Sequence, residues 1–290
     1  MTDSAVSLQS QPGRANRSNA AKFLLLARDW WPLALIAIWL VAVAAPGLIA
    51  KQDPIALNLF NALAPPSREH LLGTDEAGRD LWARCIWGIR YSLGVSILIV
   101  LSAAAIGTIV GGFAGLMRGW IDFLLMRSTD VFLAFPYLIL AIAIASAVGP
   151  GLNTVIVALT LVWWPGYARM VRGQVLSLKE LSFVEGARAA GTSTPMILAR
   201  HLLPHLLPQL SARVSMDIGY AVLALTGLSF LGLGAQPPTP ELGAIIATAR
   251  SHLLVSWWYT TLPGAFVLAA VLSAMVVSDW LESRNSSQVR

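Results

Sequence analysis

Residues 182–208 read SFVEGARAAGTSTPMILARHLLPHLLP, a polar, cation-bearing island between long apolar runs, and its reading decides the fold. Ser182 followed by Glu185 has the spacing of a capping box, in which the hydroxyl accepts an orphan helix N–H and the carboxylate reaches back to the cap. Ala187, Ala189 and Ala190 continue a compact helix. Gly191 then supplies the left-handed stop that a side chain resists. Thr194 and Pro195 restart a helix, with a hydroxyl cap and a proline where no N–H is needed. Pro204 and Pro208 close the island. The expected unit is helix, glycine turn, helix, held at a membrane surface.

The flanking runs explain why a membrane is required. Hydrophobic residues make up 56% of the 290 residues and charged residues 12%. A soluble domain carries roughly twice that charged fraction. The composition is that of an integral membrane protein. The net charge of +5 would suggest nucleic acid in a soluble chain; here the cations lie in short loops beside apolar runs, and no nucleic-acid partner is expected. The one cysteine, Cys85, excludes an internal disulfide and multi-cysteine metal sites. No GxxxxGK[ST] run occurs, so no phosphate loop of that type is present, no catalytic site is expected, and ATP chemistry must come from a partner.

Going outward, residues 1–29 are a cationic polar tail, expected to be cytoplasmic, disordered and ending in an interfacial helix. The first apolar run, 31–50, has the roughly 20-residue length that crosses about 30 Å of hydrocarbon, and reads as an uncleaved anchor. With the polar interlude that follows, it forms a segment 30–89. Within that interlude, Arg79, Asp80, Arg84 and Arg90 alternate with Leu81, Trp82, Ile86 and Trp87, as in an amphipathic segment lying at the interface. A transmembrane unit 90–282 follows, with spans near 91–116, 129–148, 154–167, 205–233 and 262–281, a cytoplasmic loop 168–204, and a tail 283–290. In the second span Ala103, Gly107, Gly111 and Gly115 recur every four residues, a smooth face for close helix approach within the chain or to a second subunit. The fold class is all-α, with six membrane spans.

The positive-inside rule orients it. With the N-terminus inside, thirteen Lys and Arg, among them Arg14, Arg118, Arg127, Arg169, Arg188 and Arg284, fall on the cytoplasmic side and six on the outside. Both termini and the 182–208 island then face the cytoplasm.

EGARAAG, ten residues and LLP resemble the EAA loop motif of the permease subunits of ABC importers. The match carries Glu185, Gly186 (where alanine is usual), Ala187, Gly191 and Pro204. A second motif, HLLGTDEAGRD at 70–80, is similar to the HxLGTDxxGRD pattern of the peptide and nickel importers, and FLGLGAQPPTPELGAII at 230–246 to their fifth-span exit. The resemblance runs from about residue 70 to 263. It weakens at SDWLESRN, where these permeases end in GDxLRDxxDP.

The resemblance implies the type I importer permease fold in a bacterial inner membrane, as the second permease of a dipeptide, oligopeptide or nickel system. Its partners would be another permease, two cytoplasmic ATPases and an outer solute-binding protein. The five motif residues would couple to the ATPase, and no cofactor is implied beyond ATP bound by the partners. Peptide is the favoured solute; nickel, glutathione and opine-like solutes are alternatives, with an ion-driven secondary transporter a remoter one.

Other constellations are less telling. His201 and His205 stand four apart without a third ligand nearby, so packing or interfacial polarity is expected rather than metal. Arg213 and Asp217, four apart inside the fifth span, either neutralise each other or line a polar pathway, and Asp130 shares that ambiguity. The substrate-binding residues are not assigned by the sequence.

Overall fold

A computed structural model describes residues 31–117 and 119–288; the predicted tail 1–29 and Arg118 lie outside the described residues. The described chain is helical, with one isolated bridge between Thr74 and Asp80. The helices are α1 (Trp31–Ala44), α2 (Leu81–Met117), α3 (Trp120–Leu133), α4 (Tyr137–Val148), α5 (Leu152–Leu178), α6 (Ser182–Ala189), α7 (Leu203–Phe230), α8 (Leu242–Ala249) and α9 (Trp257–Gln288).

All six apolar runs are helical. Among the described residues, α2, α5 and α9 are long and apolar enough to cross a membrane by themselves, and α3 with α4 qualify as a bent pair. At 28 residues α7 is long enough, but Pro204, Pro208, Arg213 and Asp217 interrupt its apolar character. Pro46 ends the first run early: α1 stops at Ala44 and a short turn, Pro46–Ile49, follows.

Four boundaries differ from the sequence reading. The expected interfacial segment at 79–90 does not exist as a separate element, because α2 starts at Leu81 and runs 37 residues into the membrane span. Three of the segment's charges are buried, Arg79 at 9% exposed, Asp80 at 6% and Arg84 at 5%, while Arg90 is exposed and lies over the Trp87 ring. The third span is broken: α3 and α4 meet at 87°. Pro136 is the physical cause, since its ring disfavours helical backbone at Phe135 and it has no N–H to continue the ladder. The fourth span carries on as helix through Pro165 to Leu178, so the loop 168–204 begins inside α5. At the other end α9 stays helical through Gln288, past the boundary set at 282.

The glycine stripe packs within the chain. A β-carbon on Gly107 would lie 2.4 Å from Tyr167 Cβ, one on Gly111 2.2 Å from the Ala168 carbonyl oxygen, and one on Gly115 2.6 Å from Val175 Cγ1. Residues 107–115 of α2 therefore lie backbone to backbone on 164–175 of α5, the close approach that small residues permit in a membrane. This contact resolves the earlier choice in favour of packing inside the subunit. Gly111→Ala is expected to cost about 1–3 kcal/mol through overpacking against a backbone that cannot rotate away. The thermal unfolding of the detergent-purified protein measures it, with Gly94→Ala as control, since that β-carbon would meet Val43 at an ordinary 3.7 Å. Equal stability of the two variants would contradict the packing.

Candidate functional site

The 182–208 region forms one closed unit. Helix α6 is eight residues long, and its N-cap is Leu181, without a side-chain capping bond. The capping box drawn on Ser182 and Glu185 is thus corrected: Ser182 is already the first helical residue, and Glu185 lies in the first turn, where a carboxylate is favoured by the helix dipole. The C-terminus closes as expected. Gly191 has φ +79°, and its N–H donates to the Arg188 carbonyl (2.9 Å) while that of Thr192 donates to the Ala187 carbonyl (3.0 Å). These two bonds make the glycine-dependent Schellman closure.

Packing fixes which side of α6 is free. Val184 is fully buried and Ala187 is 9% exposed; both enter a cluster with Val171 and Val175 of α5, Leu116 of α2, and Ile197, Leu198, Leu202 and Leu206 on the return. Glu185, Gly186, Arg188 and Ala189 are exposed, as are Leu181 and Phe183. Among the described residues nothing lies within 4 Å of a β-carbon on Gly186 or Gly191. The helix is anchored on one face and open on the other. The Phe183 ring rests against the His205 imidazole, centroids 5.2 Å apart, so His205 serves packing.

The return segment departs from the sequence reading. The N-cap is Ser193 rather than Thr194, and Thr194–Met196 opens a π-helical stretch, Ile197–Leu202, that runs directly into α7. Pro204 and Pro208 therefore do not close the island: Pro204 occupies the first turn of α7 and Pro208 lies inside it. A π turn bonds five residues back, as the Leu203 N–H does to the Leu198 carbonyl, and so re-registers the ladder just before a residue without an N–H. Glu185, Gly186, Ala187 and Gly191 thus share one turn-closed helix, while Pro204 stands apart on the next.

Polar clasps hold the surrounding helices. Lys179, 4% exposed, donates from Nζ to the Gly115 carbonyl. The Arg172 guanidinium grips Asp122 with two bonds of 2.6 and 2.7 Å, joining α5 to α3. Asp130 pairs with Arg169 at 2.6 Å on the surface of the same two helices. The sequence reading had not singled out Val184, Lys179 or the Asp122–Arg172 pair. Val184 was findable from its three-residue spacing to Ala187; the ion pair joins residues 50 apart and had no local signal.

The 70–80 motif forms a second polar centre at the other end of α2. Asp75 is fully buried and accepts the Ala77 and Arg79 N–H groups at 2.9 Å and Arg79 Nε at 2.6 Å, with Arg84 Nε 3.2 Å away. Asp80 caps α2 through the Ala83 N–H at 2.8 Å and contacts His70 Nδ1 at 2.9 Å. Thr74 Oγ1 accepts the Ala64 N–H at 2.8 Å. A β-carbon on Gly73 or Gly78 would strike the Ala64 or Asn58 carbonyl oxygen. Nearby, the fully buried Glu241 accepts from Ser92 Oγ (2.7 Å) and caps α8 through the Ala244 N–H (2.9 Å), fastening 241–249 onto α2. The motif's residues build the loop's own interior.

Residues 107–287, from the middle of α2 to the end of α9, match the family model described as the binding-protein-dependent transport system inner membrane component. The chain belongs to that family. The permease is 35% identical over 274 residues to the "Probable D,D-dipeptide transport system permease protein DdpC" of Escherichia coli K12, covering 93% of this chain and 92% of that one. It is 39% identical over 261 residues to the "Glutathione transport system permease protein GsiD" of Escherichia coli O6:K15:H31, covering 89% and 86%. The inward-facing MetNI methionine ABC transporter shares its fold, with a TM-score of 0.55 over 68% of this chain and 94% of that chain at 21% identity. The permease is therefore a multi-pass membrane component of a binding-protein-dependent transport system.

Proposed function

We propose that the permease is one of two different six-span subunits in an ATP-driven importer of short peptides, and that α6 is the part seated in a cytoplasmic ATPase. Two ATPase subunits and an outer solute-binding protein complete the assembly; the ATP is bound by the ATPases, and the permease carries no cofactor and no catalytic group of its own. The observation that carries this is the one-sided anchoring of α6. Val184 and Ala187 lock it to α2, α5 and the return segment, while Leu181, Phe183, Glu185, Gly186 and Arg188 face outward. A rigid handle so attached conveys motion to the spans, which is what a two-state transporter requires. In this reading Glu185, Gly186, Ala187 and Gly191 couple to the ATPase, and Pro204 acts only through the bend at the base of α7.

Peptide is the favoured solute because relatives across nearly the whole chain bear dipeptide names; the glutathione name of another keeps that solute as the second reading. Mass spectrometry of the ligand retained by the partner binding protein separates the cases. A short α-linked peptide is expected, γ-linked glutathione would favour the second reading, and a metal chelate would overturn both.

The orientation has its own test. Cys85 is fully buried, so an impermeant maleimide should label it only after denaturation, and topology needs new thiols. In a Cys85→Ser background, Glu69→Cys should react from outside intact spheroplasts and Ser283→Cys only after permeabilisation. The reverse pattern would refute cytoplasmic termini.

A further inference from the structure

Halfway along α7, Arg213 and Asp217 open onto a cleft of about 320 Å³ that also takes in Tyr137, Trp163, Tyr167 and Tyr220. The two charges form an ion pair, Nε to Oδ2 at 2.9 Å, yet they are placed unequally: the Arg213 side chain is 49% exposed and that of Asp217 10%. The hydroxyl of Tyr167, a residue 3% exposed, lies beside the Asp217 carboxylate. Tyr137 and Trp163 rest against each other at 6.1 Å, forming an aromatic wall.

A half-exposed guanidinium in the middle of a span cannot face hydrocarbon, where a charge costs several kcal/mol. This face of α7 therefore meets water or protein in the assembly. The pair also differs from the Arg172–Asp122 clasp. Arg172 and Asp122 grip each other through both guanidinium and both carboxylate contacts, whereas Arg213 commits one nitrogen to one oxygen of Asp217.

We propose that this cleft is a contact point on the import pathway for a small solute carrying both a carboxylate and an ammonium group, which exchanges partners with the Arg213–Asp217 pair. The solute's carboxylate takes up Arg213, its ammonium group takes up Asp217 and the Tyr167 hydroxyl, and its side chains lie on the Tyr137, Trp163 and Tyr220 rings. Because the two charges satisfy each other when the solute has left, neither is stranded in the membrane between transport events. The contact is also weak enough to release. The proposal names the solute class for the importer proposed above and rests on that reading.

The test uses the complete transporter with its binding protein in proteoliposomes, with radiolabelled dialanine as the probe. Wild-type vesicles should accumulate it on addition of ATP; failure to do so would remove the peptide reading and the site with it. Arg213→Gln and Asp217→Asn should each lower import roughly tenfold, the loss expected for one charge-assisted hydrogen bond. The double variant Arg213→Asp with Asp217→Arg remakes the pair with reversed polarity and should stay as low as the single variants. Recovery of wild-type import by that swap would show a purely structural pair and overturn the proposal. Tyr167→Phe keeps the packing and both charges, and should lower import several-fold while the ATPase still co-purifies. Should the charge variants fail to assemble, undiminished import by Tyr167→Phe overturns the proposal.

Discussion

Asp75→Ala should remove the permease from the membrane fraction at growth temperature, although residue 75 is remote from α6. Two guanidinium groups, Arg79 and Arg84, lie against this one fully buried carboxylate, with side chains 10% and 6% exposed. Removing one partner of a buried ionic cluster leaves uncompensated charge, at a cost of about 3–5 kcal/mol. Two further donors, the Ala77 and Arg79 N–H groups, lose their acceptor as well. Glu76, which accepts from Arg79 at 3.2 Å, is partly exposed and offsets little of this. Asp75→Asn keeps the shape and an acceptor oxygen but turns an N–H pair toward the arginines, so it should fall between wild type and alanine. Thermal denaturation of detergent-purified protein gives the order; an unchanged transition for Asp75→Ala would show that the 70–80 motif has another purpose.

Gly191→Val should abolish uptake while leaving the spans inserted. Among the described residues no atom lies within 4 Å of the added β-carbon, so the effect is conformational rather than steric. A β-branched residue at φ +79° is strained by about 1–2 kcal/mol. Relief by leaving that conformation breaks the two closing bonds, at about 1 kcal/mol each. Either way α6 loses its fixed angle to the return segment. Gly191→Asn separates this from a general intolerance, because asparagine adopts the left-handed conformation at little cost. Uptake and binding-protein-stimulated ATP hydrolysis, measured in the same vesicles, should both fail for valine and both survive for asparagine. Normal uptake by the valine variant would refute the coupling role.

The class of fold was legible because membrane insertion depends chiefly on apolar length and composition, which most of the runs display locally. Gly191 was legible for the same reason: a glycine after an alanine-rich turn has one economical conformation. What the sequence hid were long-range partners and competing local signals. The stripe Gly107–Gly111–Gly115 announced a close approach, but its partner, Ala168, lies on another helix. The charged 79–84 stretch looked interfacial because charges are normally solvated, and only the convergence on Asp75 makes burial tolerable. Ser182 has the chemistry of a cap, yet Leu181 takes that position, since burying Val184 and Ala187 on one face sets where α6 begins. Pro204 and Pro208 read as terminators because prolines end isolated helices; here a π turn before them keeps the chain helical.

Site-specific photocrosslinking from α6 tests the seating of this helix in an ATPase most directly. A photoreactive phenylalanine analogue replaces Gly186, which is exposed and has nothing within 4 Å of its β-carbon, or, as a control, Leu254, which is 99% exposed in the loop before α9. Irradiation of the assembled transporter should join position 186 to the ATPase subunit, with no such adduct from position 254. An assembled transporter that gives no ATPase adduct from position 186 would contradict the account.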